Sequence, residues 1–183
     1  MFMFIFQVIS PLINNPARSV KLGFEPQEKL LCLRADIKMT ITALIHAYRK
    51  PGLSVDDFKK HYEAHVDLLK RLTADDFPLS HKRTYVARNS VETAPDGASS
   101  RNATTPAVLL AGQQADFDFD AYAELTFADQ LSLAAFAAKT QTPEAAAQIA
   151  ADEEKFLDRS KTGIVMMGDV IETTKGNKEA RDA

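Results

Sequence analysis

The chain has 183 residues, 45% hydrophobic and 26% charged, with a formal net charge of −3, which fits one soluble globular domain with its own core. The weak negative charge excludes a basic field for nucleic acid or an anionic membrane, and the single cysteine, Cys32, excludes an internal disulfide framework. No apolar run reaches the roughly 18–20 residues of a membrane-spanning helix, so the expectation is a cytoplasmic protein without nucleic-acid or membrane partners.

Residues 1–38 do not resemble the rest. Met1 to Ile9 is apolar (MFMFIFQVI) and stops before Pro11. It lacks the preceding positive charge and the small-residue cleavage site of a secretory signal. The remainder of the segment carries Pro16, Gly23 and Pro26 without a period. The segment is expected to be an extension, poorly ordered or outside the native protein; a targeting peptide and a structural element are the alternatives. Met39 is then the natural start of a domain spanning 39–175.

From Ile41 the pattern is regular. ITALIHAY alternates, which predicts a strand over 41–48, with Ile41, Ala43, Ile45 and Ala47 on one face. Arg49-Lys50-Pro51-Gly52 is a turn. Ser54 is a helix N-cap, and Asp56 and Asp57 suit the first turn of a helix over 55–73. Its apolar stripe is Val55, Phe58, Tyr62, Val66, Leu69 and Leu72. A second strand is expected over 81–88, a mobile loop over 89–106, and an edge strand over 107–111. A third strand covers 119–127, then a helix over 130–138 capped by Asp129. Thr142-Pro143 opens another helix, over 144–157. Gly163 opens a last strand over 164–173, with Met166-Met167 as core, and 176–183 is a charged tail. The order is α+β, a ferredoxin-like split βαβ with an antiparallel sheet. Both helices cover one sheet face. A second copy of the chain is the economical cover for the other, which predicts a homodimer forming a dimeric α/β barrel.

Four histidines stand out: His46, His61, His65 and His81. His61 and His65 are four apart on one helix and point the same way. The H-E-x-x-H arrangement is absent and no third ligand accompanies them, so no metal is expected. The alternative for each is an edge-packed imidazole with a hydrogen-bonded nitrogen. His81, Arg83 and Tyr85 share a strand face, as do His46 and Tyr48. If these faces line one cavity, it holds imidazoles, a guanidinium and phenols. Such a set moves protons and steadies an enolate or carboxylate. The alternative for His81 and Arg83 is a hydrogen-bond cluster at a strand end. Glu124 on the third strand either pairs with Arg83 or is solvated. Asp152-Glu153-Glu154-Lys155 is expected to be a solvated helix face paired with Lys155 and Arg159. No G-x-G-x-x-G, phosphate-binding loop or G-x-S-x-G occurs. No cofactor is expected.

Arg49 to Ser54, then Phe58, His61-Tyr62-Glu63 and His65, resembles the opening of the EthD-like family. Asp152-Glu153-Glu154-Lys155-Phe156-Leu157-Asp158 resembles its close, and Phe77 to Tyr85 resembles a fungal branch of it. The resemblance runs over 39–174. It implies a dimeric α/β barrel and, as ligand, a small hydrophobic or aromatic metabolite. Some members accompany an oxidative ether-degrading system, and fungal relatives tailor aromatic polyketides, including by decarboxylation of anthrone-type acids. Related barrels include cofactor-free cyclases and monooxygenases. The family pattern implies acid–base work for the histidine matching His65. This chain departs from the commoner pattern, with Tyr62 where Trp is frequent and Asp67 where Pro is frequent. The residues themselves add His81 as the second acid–base residue after His65, with His46, Tyr48, His61, Tyr62, Arg83, Tyr85 and Glu124 expected around the substrate. A binding or accessory protein and a cofactor-free monooxygenase are the competing readings.

Overall fold

The computed structural model describes residues 40–169, 171 and 173–175. The extension of 1–38 with Cys32, and the tail of 176–183, lie outside the described residues. In chain order the elements are β1 (Ile41–Ala47), α1 (Val55–Thr73), β2 (Ser80–Tyr85), β3 (Ala121–Phe127), α2 (Gln130–Thr140), α3 (Pro143–Glu153) and β4 (Gly163–Met166). The sheet order is β2-β3-β1-β4 with every neighbouring pair antiparallel. This is the ferredoxin-like arrangement, with β1 and β3 from the two halves of the chain side by side at the centre. Among the described residues no helix is long and apolar enough to cross a membrane.

Local chemistry sets the helices. Ser54 Oγ accepts from the Asp57 amide at 3.0 Å, Asp56 and Asp57 sit at the positive end of α1, and Lys70 and Arg71 sit at its negative end. Asp129 caps α2 through the Ser132 amide at 2.8 Å. Thr142 caps α3, with Pro143 in the first turn.

The alternation along the central strands decides which face is covered. Ala43, Ile45 and Ala47 of β1 and Ala121, Ala123, Leu125 and Phe127 of β3 are buried against the helices. Their alanines let Phe58, Tyr62 and Val66 of α1 approach closely. Phe58, Phe127 and Phe156 are fully buried, and each stabilises the fold by about 1.5–3 kcal/mol. The opposite face carries Thr42, Leu44, His46, Tyr122, Glu124 and Thr126 and, among the described residues, has no helix over it.

Four expectations need correction. β2 ends at Tyr85, beyond which the chain keeps a backbone bond to the β3 side, Val86 N–H to the Asp120 carbonyl at 3.0 Å, and Arg88 reaches the carbonyls of Thr105 and Phe119 at 3.0 and 2.8 Å. Residues 107–111 form no strand. Their contribution is one bridge, Ala107 with Arg88, and the Gln114 side chain takes both backbone groups of Ala107. The 89–106 segment is fastened to the body through backbone bonds and through Asn102, which is buried. β4 stops at Met166, and Met166 and Met167 are exposed rather than core.

Candidate functional site

Antiparallel register places His81 opposite Leu125, Arg83 opposite Ala123 and Tyr85 opposite Ala121. All three side chains therefore lie on the helix-covered face, beneath α1. On α1 itself, Tyr62 and His65 are on the buried stripe. A cavity of about 20 Å³ lies between α1 and the sheet, lined by Tyr62, His65, Leu69, His81, Glu153 and Leu157 among others. It is about the size of one water molecule. A second cavity of about 40 Å³ lies under α2, lined by apolar groups including Leu133, Phe136 and Ile164. The two share Ile45 and Leu125 as lining.

His65 is 3% exposed, and its Nδ1 lies 2.8 Å from Asp152 Oδ2. Burial alone would raise the Asp152 carboxyl, but hydrogen bonds from Lys155 and His65 outweigh it and hold the group below its usual range. Asp152 is thus an anion. Its presence at Nδ1 places the proton there and leaves the lone pair on Nε2. Burial lowers the His65 pKa, against the pull of Asp152, so the ring is a neutral base near pH 7.

His81 differs. Neither of its buried ring nitrogens has a hydrogen-bond partner among the described residues. Burial, reinforced by the Arg83 charge, pushes its pKa down to about 4. Glu153, 1% exposed, completes the polar lining: Oε2 is 3.2 Å from Arg159 Nε, while Oε1 has no partner among the described residues. Burial raises this carboxyl above the usual range despite Arg159.

The expected residues do not form one constellation. Tyr62, His65 and His81 converge, with ring centroids 6.0 and 6.4 Å apart about Tyr62. Burial raises the Tyr62 phenol, so it stays neutral. His61 stacks on Phe156 beside them. Arg83 holds Glu63 in a two-pronged pair at 2.9 and 2.6 Å, and Tyr85 donates to the same carboxylate at 2.6 Å. Burial, with Glu63 beside it, raises the Tyr85 phenol, and the Arg83 hydrogen bonds lower Glu63. Arg83 and Tyr85 therefore already have an anion.

His46 and Tyr48 lie apart from this group. The exposed His46 is on the open face, stacked on Phe119 at 4.8 Å, and Tyr48 meets the same ring edge-on. Glu124, also on the open face, pairs with Lys82 at 3.3 Å and not with Arg83, which projects from the opposite face. One cavity lined by both strand faces is thus excluded by the pleat.

Asp152 and Glu153 are the residues that sequence reasoning missed, because the charge run places them on a solvated face. The signal is the helix period: Ala145, Ile149 and Glu153 are four apart and all buried, so Glu153 continues an apolar stripe. Among the described residues no group of three or more His, Cys, Asp or Glu side chains is arranged to hold a metal ion.

A family model for the EthD domain matches residues 50–160. Solved structures of similar shape include an EthD family protein from Bacillus halodurans, 19% identical, covering 71% of this chain and 99% of that one, with a TM-score of 0.39. A protein of Arabidopsis thaliana is 13% identical over 73% of this chain and 99% of that one, with a TM-score of 0.42. A dimeric ferredoxin-like protein of unknown function from Thermobifida fusca is 12% identical over 72% and 92%, with a TM-score of 0.38. No curated protein matches the sequence significantly.

Proposed function

The chain belongs to the EthD domain family, and from that premise we propose that it is a cofactor-independent enzyme acting on a small aromatic or polyketide-like metabolite by acid–base chemistry. Decarboxylation, dehydration and cyclisation of such a compound share one requirement. An electron pair is delivered next to a carbonyl, and the resulting enolate oxygen is stabilised or protonated. The observation that carries the reading is the His65–Asp152 pair, 2.8 Å apart, at a cavity that also holds the unpartnered nitrogens of His81. Asp152 orients a neutral imidazole whose Nε2 is the base, and His81 is the second acid–base group. The apolar cavity across Ile45 and Leu125 supports an aromatic ligand. A ligand of that size requires α1 and the sheet to part at the water-sized cavity.

The test uses aryl β-keto acids as probes, with carbon dioxide release as the readout. Wild type should turn over at least one, and His65→Ala and His81→Ala should each lose about 10²-fold or more in rate with folding intact. Near-normal turnover in both variants, or none in wild type, would sink the reading. The closed Glu63–Arg83–Tyr85 cluster favours one competitor, a metabolite-binding accessory protein. That reading predicts binding of aromatic acids that survives loss of either histidine.

We also propose a homodimer through the open sheet face. Leu44 lies opposite Val165 in the register there, and Val165 and Met167 expose about half of their surface at 55% and 44%. Sedimentation of the full chain should give a dimer, and a monomer at micromolar concentration would overturn this.

A further inference from the structure

Asp152 and Glu153 are consecutive residues at the end of α3 with opposite surroundings. The Asp152 carboxylate accepts from Lys155 and His65 at 2.8 Å each. Glu153 turns inward to 1% exposure and lines the same cavity as His65 and His81, and its Oε1 has no partner among the described residues. A buried carboxyl oxygen without a donor is costly as an anion and cheap as an acid.

We propose that Glu153 is the proton donor of this cavity, acting opposite His65. The inference rests on the acid–base reading above and adds to its two histidines a carboxylic acid that protonates the substrate oxygen. In an enolisation, one proton leaves a substrate carbon for His65 Nε2. The electron pair of that C–H bond forms the C=C bond, and the carbonyl oxygen takes the proton of Glu153. Neutral imidazole plus carboxylic acid becomes imidazolium plus carboxylate, so the net charge of the site is unchanged. Two carboxyls held apart by environment in this way take different roles: Asp152 orients the base and Glu153 is the acid.

The groups facing Glu153 fix its pH behaviour. Tyr62 and His65 face it from α1, His81 from β2, Thr162 from the segment before β4, and Arg159 from the turn after α3, with Asp152 and Glu154 on its own element. Burial and the two neighbouring carboxylates favour the acid form and Arg159 favours the anion, with a net upward shift. The active form has His65 neutral and Glu153 protonated. Activity therefore falls at low pH as His65 gains a proton, and at high pH as Glu153 loses one.

Glu153→Gln has the same shape but cannot give up a proton. With an aryl β-keto ester as probe, which enolises but has no carboxylate to lose, and α-proton exchange in deuterated water as readout, it should lose about 10²-fold in kcat, and its pH profile should lose the high-pH limb while keeping the low-pH limb. A substitution that only loosened the fold would leave both limbs in place. Infrared spectra of the full chain near neutral pH should show a carboxylic-acid carbonyl band that Glu153→Gln removes. An active wild type, a dead His65→Ala and a Glu153→Gln that keeps its rate and high-pH limb would overturn the donor role alone. So would identical infrared spectra. A wild type inactive on every probe overturns the acid–base reading first and this inference with it.

Discussion

Two buried polar clusters in this fold look alike in composition and differ in how they are satisfied. At the end of β1, Arg49 is 5% exposed and Asp120 is 2% exposed. Each guanidinium nitrogen of Arg49 has an acceptor: Asp120 for Nε, the Leu53 carbonyl for Nη1, and Asn102 at 2.7 Å for Nη2. Asp120 also accepts from the Arg49 amide at 2.8 Å and pairs by charge with Arg88 Nε at 3.3 Å, a nitrogen that has no hydrogen-bond partner among the described residues. Under α1, His81 and Glu153 keep buried polar atoms without partners among the described residues. The first cluster is a clasp that ties the long 86–120 connection to the sheet. The second leaves hydrogen-bonding capacity unused on two residues that line a cavity. An unpartnered buried polar group costs free energy, and in the proposed function the bound substrate supplies the missing partner.

The largest effect should come from breaking the clasp. Asp120→Ala leaves two buried guanidinium groups without their shared anion, and removing one partner of a buried pair costs about 3–5 kcal/mol. Urea denaturation should show this loss, together with faster proteolysis in 89–106. A change below about 1 kcal/mol would show that the clasp is not what holds the connection.

The next effect belongs to the open cluster and is a pH effect. The folded pKa of His81, at about 4, lies below its ordinary value near 6.5. Its contribution is therefore present above the unfolded pKa and lost as pH falls through the folded one. Stability should drop on the order of 3 kcal/mol between pH 6.5 and pH 4. His81→Gln should flatten that slope. Glu153 has the opposite sign: its raised pKa means stability is lost as pH rises through the folded value, and Glu153→Gln should remove that loss.

Third is the orienting carboxylate. Asp152→Asn replaces an acceptor at His65 Nδ1 with an amide that can present a donor, which favours the other imidazole tautomer. Turnover of a probe substrate should fall about 10–10²-fold, some 1.4–2.7 kcal/mol in the barrier. An unchanged rate with Asp152→Asn but not with His65→Ala would mean that packing alone positions the ring.

The contrast also explains what was legible in the sequence. The alternation in 41–48, the Ser54 cap and the Thr142-Pro143 start carry local signals, and the observed elements follow them. The site does not. His81, Arg83 and Tyr85 share a face by period, but which face is covered depends on strand order, and that order joins distant segments. Glu63 reaches Arg83 across 20 positions and Asp152 reaches His65 across 87. No local pattern encodes either pairing. Glu153 was partly legible through its spacing from Ala145 and Ile149, but its acidic neighbours hid it.

The smallest expected effect tests the uncovered face. Lys82 and Glu124 are cross-strand partners 3.3 Å apart with side chains 67% and 37% exposed. An exposed pair of this kind contributes about 0.2–1 kcal/mol, so Lys82→Ala in an isolated chain should barely move the unfolding midpoint. A second copy packed over the sheet changes the arithmetic. Glu124 would then sit in the interior between two sheets, and losing its cation would leave a buried anion, at a cost of several kcal/mol. The same substitution would then weaken dimerisation, and its effect would grow as protein concentration rises into the range where wild type is dimeric. A small effect, equal at low and high concentration, would place the open face in solvent.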